Sequence, residues 1–195
     1  MTISIRTLCL LAGVAAMPAA AMAQAIEITA DGLGTLPGET VTITMSASYG
    51  GTDYALAGIA TSVLINEAQG TFDNLRLVAP MDGPGTTEGV LGAGSIDGIL
   101  AGQLNFPTAG IYADPTNPIA FWEADFTVDD VLSGPVILDI ETVTTRYDTY
   151  IDRMSSTSES RLADLEEGSL IIVIPAPAGG LALLGGLALA GGRRR

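Results

Sequence analysis

Ten consecutive residues, TVTITMSASY from Thr40 to Tyr49, alternate between apolar and polar without a break. Val41, Ile43, Met45, Ala47 and Tyr49 fall on one side, and Thr40, Thr42, Thr44, Ser46 and Ser48 on the other. A period of two is the mark of a strand with one buried face. Ile26 and Ile28 repeat the pattern against Glu27 and Thr29, as do Val136, Leu138 and Ile140 against Asp139 and Glu141. Turn residues punctuate these runs at Pro37-Gly38, Gly50-Gly51, Asp82-Gly83-Pro84-Gly85, Asp97-Gly98, Pro107, Asp114-Pro115 and Gly134-Pro135. Each supplies a positive φ, a fixed φ or an Asx cap. No stretch carries an amphipathic helix longer than about three turns. Only Arg161 to Glu167 (RLADLEE), closed by Gly168, reads as a short helix. Leu170 to Ile174 (LIIVI) is apolar on both faces and reads as a strand covered on both sides, or as the start of an anchor. Short alternating strands at regular turns predict an all-β chain folded as a single antiparallel β-sandwich.

The order of the strands carries a resemblance. GETVTITMSAS opens the domain, IAFWEADFTV and GPVILDIETV follow as consecutive strands, and GSLIIVI closes it. This order is similar to cohesin-like and related carbohydrate-binding β-sandwiches of bacterial surface proteins. The resemblance implies a cohesin-like sandwich, with Ig-like and jelly-roll arrangements as its neighbours, and a non-catalytic binding role.

Both ends differ from this middle. Arg6 precedes an apolar run from Leu8 to Ala16, and small residues follow to Ala21-Met22-Ala23. That grammar predicts a secretory signal peptide over 1–23, cut by signal peptidase between Ala23 and Gln24. Pro18 interrupts the run, so a spanning anchor, which needs about 20 apolar residues, is disfavoured. Cys9, the one cysteine, lies inside this segment, so the mature chain has none. The domain over 24–174 must therefore stay folded through its core, without disulfides.

The C-terminus reads IPAPAGGLALLGGLALAGGRRR. Ala178 to Gly192 is 15 residues without charge, roughly 22 Å as a helix against a hydrocarbon core of about 30 Å. Arg193, Arg194 and Arg195 suit a cytoplasmic end. A Pro-x-Pro signature (Pro175, Ala176, Pro177), a Gly/Ala/Leu segment and a terminal arginine cluster stand in order over 175–195. This resembles the bacterial PEP-CTERM sorting tail, in a Pro-Ala-Pro variant with Ala176 at the glutamate position. The resemblance implies a hydrophobic C-terminal helix held transiently in the inner membrane and cleavage near the prolines by an exosortase-like enzyme. It further implies delivery to the cell surface or extracellular matrix, beside exopolysaccharide or envelope proteins. A plain tail anchor is the alternative.

Between Gln24 and Glu167 lie all 22 acids and four arginines, Arg76, Arg146, Arg153 and Arg161, a net charge of −18. Such a surface repels nucleic acid and anionic lipid and has no basic patch to override the repulsion. Solubility outside the cell explains it, and a diffuse divalent-cation surface is the alternative.

The mature chain has no histidine, cysteine or lysine. That removes Ser-His-Asp and Cys-His catalysis, Schiff-base chemistry and zinc sites built from His or Cys. The glycine-rich GVLGAGSIDG (Gly89 to Gly98) matches neither a nucleotide loop nor a nucleophile elbow and reads as a turn or bulged strand. Carboxylates remain. A facing pair could hydrolyse a glycoside, but no aspartic-protease motif accompanies any pair. Asp125, Asp129 and Asp130, or Asp148 and Asp152, offer oxygen ligands for calcium, without the order of a calcium loop. Trp122 shares a face with Ala120, Ala124, Phe126 and Val128 and reads as core, which places Phe121 among acids on the other face. Tyr147 and Tyr150, read as lying between strands, are the better-placed aromatics for a sugar platform, and SSTSESR (Ser155 to Arg161) reads as an exposed loop. The sequence thus predicts no catalytic site and no required cofactor. It describes an exported structural or adhesive protein, with a glycan- or protein-binding module as the alternative and a carboxylate glycosidase third.

Overall fold

The computed structural model describes residues 24–32, 38–66, 70–129 and 136–174. The signal segment with Ala21 and Ala23, the Pro175-Ala176-Pro177 signature, the apolar tail, Arg193 to Arg195 and Asp130 lie outside the described residues. Among the described residues, no helix is long and apolar enough to cross a membrane.

Among the described residues there are eleven strands: β1 (Gln24–Ala30), β2 (Thr40–Ser48), β3 (Ala55–Asn66), β4 (Gly70–Leu77), β5 (Val90–Leu91), β6 (Ser95–Gly102), β7 (Ile119–Val128), β8 (Val136–Tyr150), β9 (Glu159–Ser160), β10 (Leu165–Glu166) and β11 (Ser169–Ile174). They form two facing sheets, β10-β1-β2-β7-β4 and β11-β8-β3-β6-β5, with β9 added to β8. Every pairing is antiparallel except β1 with β10. This is the β-sandwich expected from the alternation, and the inner faces of both sheets make one continuous core.

The second strand follows its pattern to the last residue: Val41, Ile43, Met45, Ala47 and Tyr49 are all buried. Met45 lies opposite Trp122 on β7, and Trp122 is core as expected, its indole N–H donating to the Glu88 carbonyl at 2.9 Å. Phe121 departs from expectation, because it too is fully buried. The register steps from Met45–Trp122 to Ser46–Ala120, leaving Phe121 as an extra residue. Such a bulge turns two successive side chains to the same side, so the alternation slips by one between Phe121 and Trp122 and both rings enter the core.

A second register step corrects the tyrosines. Ala60 pairs with Arg146 and Thr61 with Thr144, so Thr145 is extra. Tyr147 therefore faces the core from within β8, not from a loop, and its hydroxyl donates across the sandwich to the Ser48 carbonyl at 2.7 Å. Tyr150 is buried as well, under a small cluster of Ala55, Ala57 and Ala113 on the opposite face. Neither ring is free to stack on a sugar. The predicted helix over Arg161 to Glu167 is only a 3-10 turn at Leu162–Asp164, because β10 follows at once and pairs with β1. GVLGAGSIDG is the β5–β6 hairpin, with Gly94 at φ 82° between the strands.

Candidate functional site

The outer face of the β11-β8-β3-β6-β5 sheet is divided in two. Over one half the chain between β6 and β7 folds back and covers it. Gln103 fastens this cover: its amide N–H donates to the Leu56 carbonyl at 2.7 Å and its amide oxygen accepts from the Asp114 N–H at 2.7 Å. Asn105, also buried, accepts from the Ala113 N–H at 3.0 Å. Polar side chains buried this way must be fully paired, and here they close the segment over Tyr150.

The other half is left uncovered by the described residues. Ile171 is 62% exposed, Ile137 53%, Val143 47% and Leu64 45%. The register places them together: Ile171 lies opposite Asp139, Leu64 opposite Glu141, Ser62 opposite Val143, and Ile137 beside β11. Val90 continues the face at its edge, opposite Asp97. The surface is thus a set of aliphatic side chains interleaved with the carboxylates of Asp97, Asp139 and Glu141. Among the described residues, none of these three carboxylates belongs to an ion pair. Aliphatic side chains gathered on one exposed sheet face make it the candidate contact surface. LIIVI is therefore an edge strand with Ile172 inside and Ile171 outside, not one covered on both faces.

The acids singled out for calcium are engaged in other ways. Asp125 accepts from the Asn74 amide at 2.8 Å, from Arg76 at 3.1 Å and from the Thr42 hydroxyl at 3.2 Å. The Asn74 amide first, and then Arg76 and Thr42 against the cost of burial, hold its carboxyl below the usual range. Glu123 grips the same arginine at 2.8 Å, so one cation bridges this carboxylate pair and leaves it a single net negative charge. Asp148 pairs with Arg146, and Asp152 accepts the Met154 N–H at 2.7 Å within a turn. Asp129 is exposed. Among the described residues, no three acids converge as a metal site.

One ion pair is built into the sandwich. Arg161 donates to both carboxylate oxygens of Asp53, at 3.0 and 3.1 Å, and the Thr149 hydroxyl donates to the same carboxylate at 2.7 Å. The Asp53 side chain is almost wholly buried. Burial alone would raise its carboxyl; the Arg161 and Thr149 hydrogen bonds outweigh that and hold it below the usual range. A carboxyl lower in the folded than in the unfolded chain stabilises at pH above its unfolded value of about 3.9 and loses that contribution as pH falls through the folded value. Thermal melting from pH 7 to pH 2 should show a steep fall below about pH 4. Asp53→Asn should lower stability at pH 7 and flatten that fall.

The sequence held a signal for the bare face. In VILDIETV, Ile137 and Val143 share the parity of Asp139 and Glu141, so two apolar residues belong to the acidic side. Leu64 and Ile171 gave no such signal, since their runs are apolar at consecutive positions.

No protein-family model matches the chain, and no curated protein matches it by sequence. Its shape, however, is similar to that of solved cohesin modules. A type I cohesin, OlpC of Clostridium thermocellum, solved in a cohesin–dockerin complex, has a TM-score of 0.52 at 14% identity, covering 82% of this chain and 99% of its own. The seventh ScaB type I cohesin of Pseudobacteroides cellulosolvens gives 0.51 at 10%, covering 78% and 94%. The sixth cohesin of the Acetivibrio cellulolyticus scaffoldin B, solved with a Cel5 dockerin, gives 0.50 at 12%, covering 77% and 97%. The sandwich is cohesin-like in fold.

Proposed function

We propose that residues 24–174 are an exported, non-catalytic module that binds a protein partner through the bare half of the β11-β8-β3-β6-β5 sheet. The observation that carries this reading is the aliphatic face itself, with Ile171, Ile137, Val143 and Leu64 turned to solvent among carboxylates that, within the described residues, belong to no ion pair. Its chemistry suits a segment that presents apolar side chains flanked by lysine or arginine. Buried apolar contact would supply affinity, and the carboxylates would set register and speed association. Two of the similar cohesins were solved with dockerins bound, which supports a protein as the class of partner. A structural or adhesive role would run through the same contact.

The reading of the ends completes the proposal. Signal peptidase would release the chain after Ala23, and an exosortase-like enzyme would cut near Pro175-Ala176-Pro177. The tail, with Arg193 to Arg195 on the cytoplasmic side, would hold the protein in the inner membrane only until then. Intact mass of the chain from its host tests this: an end near Pro177 supports sorting, and an intact C-terminus leaves a plain anchor.

The binding face is tested by Leu64→Asp combined with Ile171→Asp. Both side chains are exposed but lie opposite Glu141 and Asp139, so each change should cost about 1 kcal/mol from like-charge repulsion and leave the domain folded. The protein that co-purifies with the wild-type chain from the host should be lost from the double variant while its far-UV circular dichroism stays that of the folded sandwich. Retention of the partner would contradict the assignment.

A further inference from the structure

A second apolar surface lies at one end of the sandwich, and it is built differently. Leu104, Phe106, Ile111, Tyr112 and Met154 are all exposed there. Phe106 and Ile111 bridge each other across a tight turn, with the Phe106 N–H donating to the Ile111 carbonyl at 2.8 Å. The turn is locked to the loop after β8. The Asn105 amide donates to the carbonyls of Arg153 and Ser155 at 3.0 and 2.7 Å, and the Asn105 N–H donates to the Tyr150 hydroxyl at 3.2 Å. The exposed residues are thus held from beneath by buried hydrogen bonds, so a ligand would find them already ordered.

The charge at this end is also unlike the rest. Arg76, Arg146 and Arg161 are each held by carboxylates. Among the described residues, Arg153 is the one arginine with no carboxylate partner; its guanidinium lies 4.1 Å from the centre of the Tyr112 ring. The molecule with 22 acids therefore keeps its one unneutralised described cation beside its exposed apolar tip. The tip is also far from the tail. Val136 pairs with Ile174 at the start of β8 and Tyr150 ends that strand, about 45 Å away at a strand rise of 3.3 Å per residue.

We infer that the tip formed by Phe106, Ile111, Tyr112, Met154 and Arg153 is a second docking site, for a protein segment that carries a carboxylate beside apolar side chains. Arg153 supplies a planar, always-charged donor set on an aromatic support, the arrangement suited to a carboxylate. Its aliphatic and methionine neighbours suit protein side chains better than sugar rings, which ask for coplanar aromatic faces. A second copy of the chain fits less well, because a two-fold contact centred on the tip would bring two Arg153 guanidinium groups together. The site is separate from the bare sheet face and of opposite charge preference, so one molecule can hold two different partners.

The test is selection from a phage-displayed random-peptide library on the full exported chain, with each enriched peptide then measured against variants. Enriched peptides are expected to carry Asp or Glu next to Leu, Ile or Phe. They should bind Arg153→Ala and Phe106→Ala about tenfold more weakly, at unchanged melting temperature, and bind Leu64→Asp/Ile171→Asp as well as wild type. Peptides without carboxylates, or peptides lost with the sheet-face variant alone, would overturn the inference while leaving the sheet-face reading intact. An absence of tip-dependent binders would overturn it too. So would polygalacturonate binding abolished by Arg153→Ala with no acidic peptide selected, or dimerisation in sedimentation that Arg153→Glu disrupts.

Discussion

Met45→Asp is expected to abolish folding of the chain. Met45 has no exposed surface and lies at the centre of the β10-β1-β2-β7-β4 sheet, opposite Trp122 on one neighbour and Ile28 on the other. A carboxylate there would be surrounded by hydrocarbon with no donor to meet it. Burying an unpaired charge costs several kcal/mol even after relaxation. Whole domains are stable by only about 5–15 kcal/mol, so the variant should be unfolded or barely folded by far-UV circular dichroism. Thr44→Asp is the matched control. Thr44 lies on the outer face opposite Glu123, so the new charge stays solvated and should cost about 1 kcal/mol, from like-charge repulsion across the strands. Equal effects of the two substitutions would contradict the assigned register.

Trp122→Ala is expected to cost about 3–5 kcal/mol in urea unfolding, the usual range for deleting a large buried ring. The side chain is 1% exposed, and its loss would also remove the hydrogen bond that ties the Glu88 carbonyl to β7. Trp122→Phe should recover most of the packing but not that bond, and should fall between the two. The wild-type tryptophan emission should be blue-shifted and indifferent to added polysaccharide, because a ring between two sheets meets neither water nor ligand.

Sandwich and core were readable wherever a strand ran without interruption. The run from Thr40 to Tyr49 keeps strict parity for ten residues, and every apolar side chain in it is buried. The reading failed where a strand gained a residue. A bulge reverses the faces beyond it, and nothing in IAFWEADFTV or in TTRYDTY marks where the extra residue sits. The bulge at Phe121 turns that ring to the core rather than among the acids, and the polar composition of TTRYDTY hides a continuous β8 whose extra residue at Thr145 turns Tyr147 inward. The short helix is lost for another cause: RLADLEE has acceptable helical composition, yet pairing of Leu165 with Gln24 overrides local preference. Least readable was the segment between β6 and β7. Its role rests on Gln103 and Asn105, two amides whose partners, Leu56, Asp114, Ala113 and Arg153, lie at distances along the chain that no local pattern encodes. That segment decides which half of the second sheet is covered, and so where the proposed binding face lies. The aliphatic side chains of the face were visible only in part, through the parity of Ile137 and Val143.

The central claim is that the bare face of the second sheet holds a protein. A photo-crosslinking amino acid placed at Ile137, and separately at Thr29 on the outer face of the other sheet, tests it most directly in the intact host. Ile137 is 53% exposed on the proposed face, and Thr29 is exposed with no proposed contact. The predicted result is one discrete protein adduct from position 137, absent from position 29 and lost when Ile171→Asp is added. No adduct at 137, or the same adducts from both positions, would contradict it.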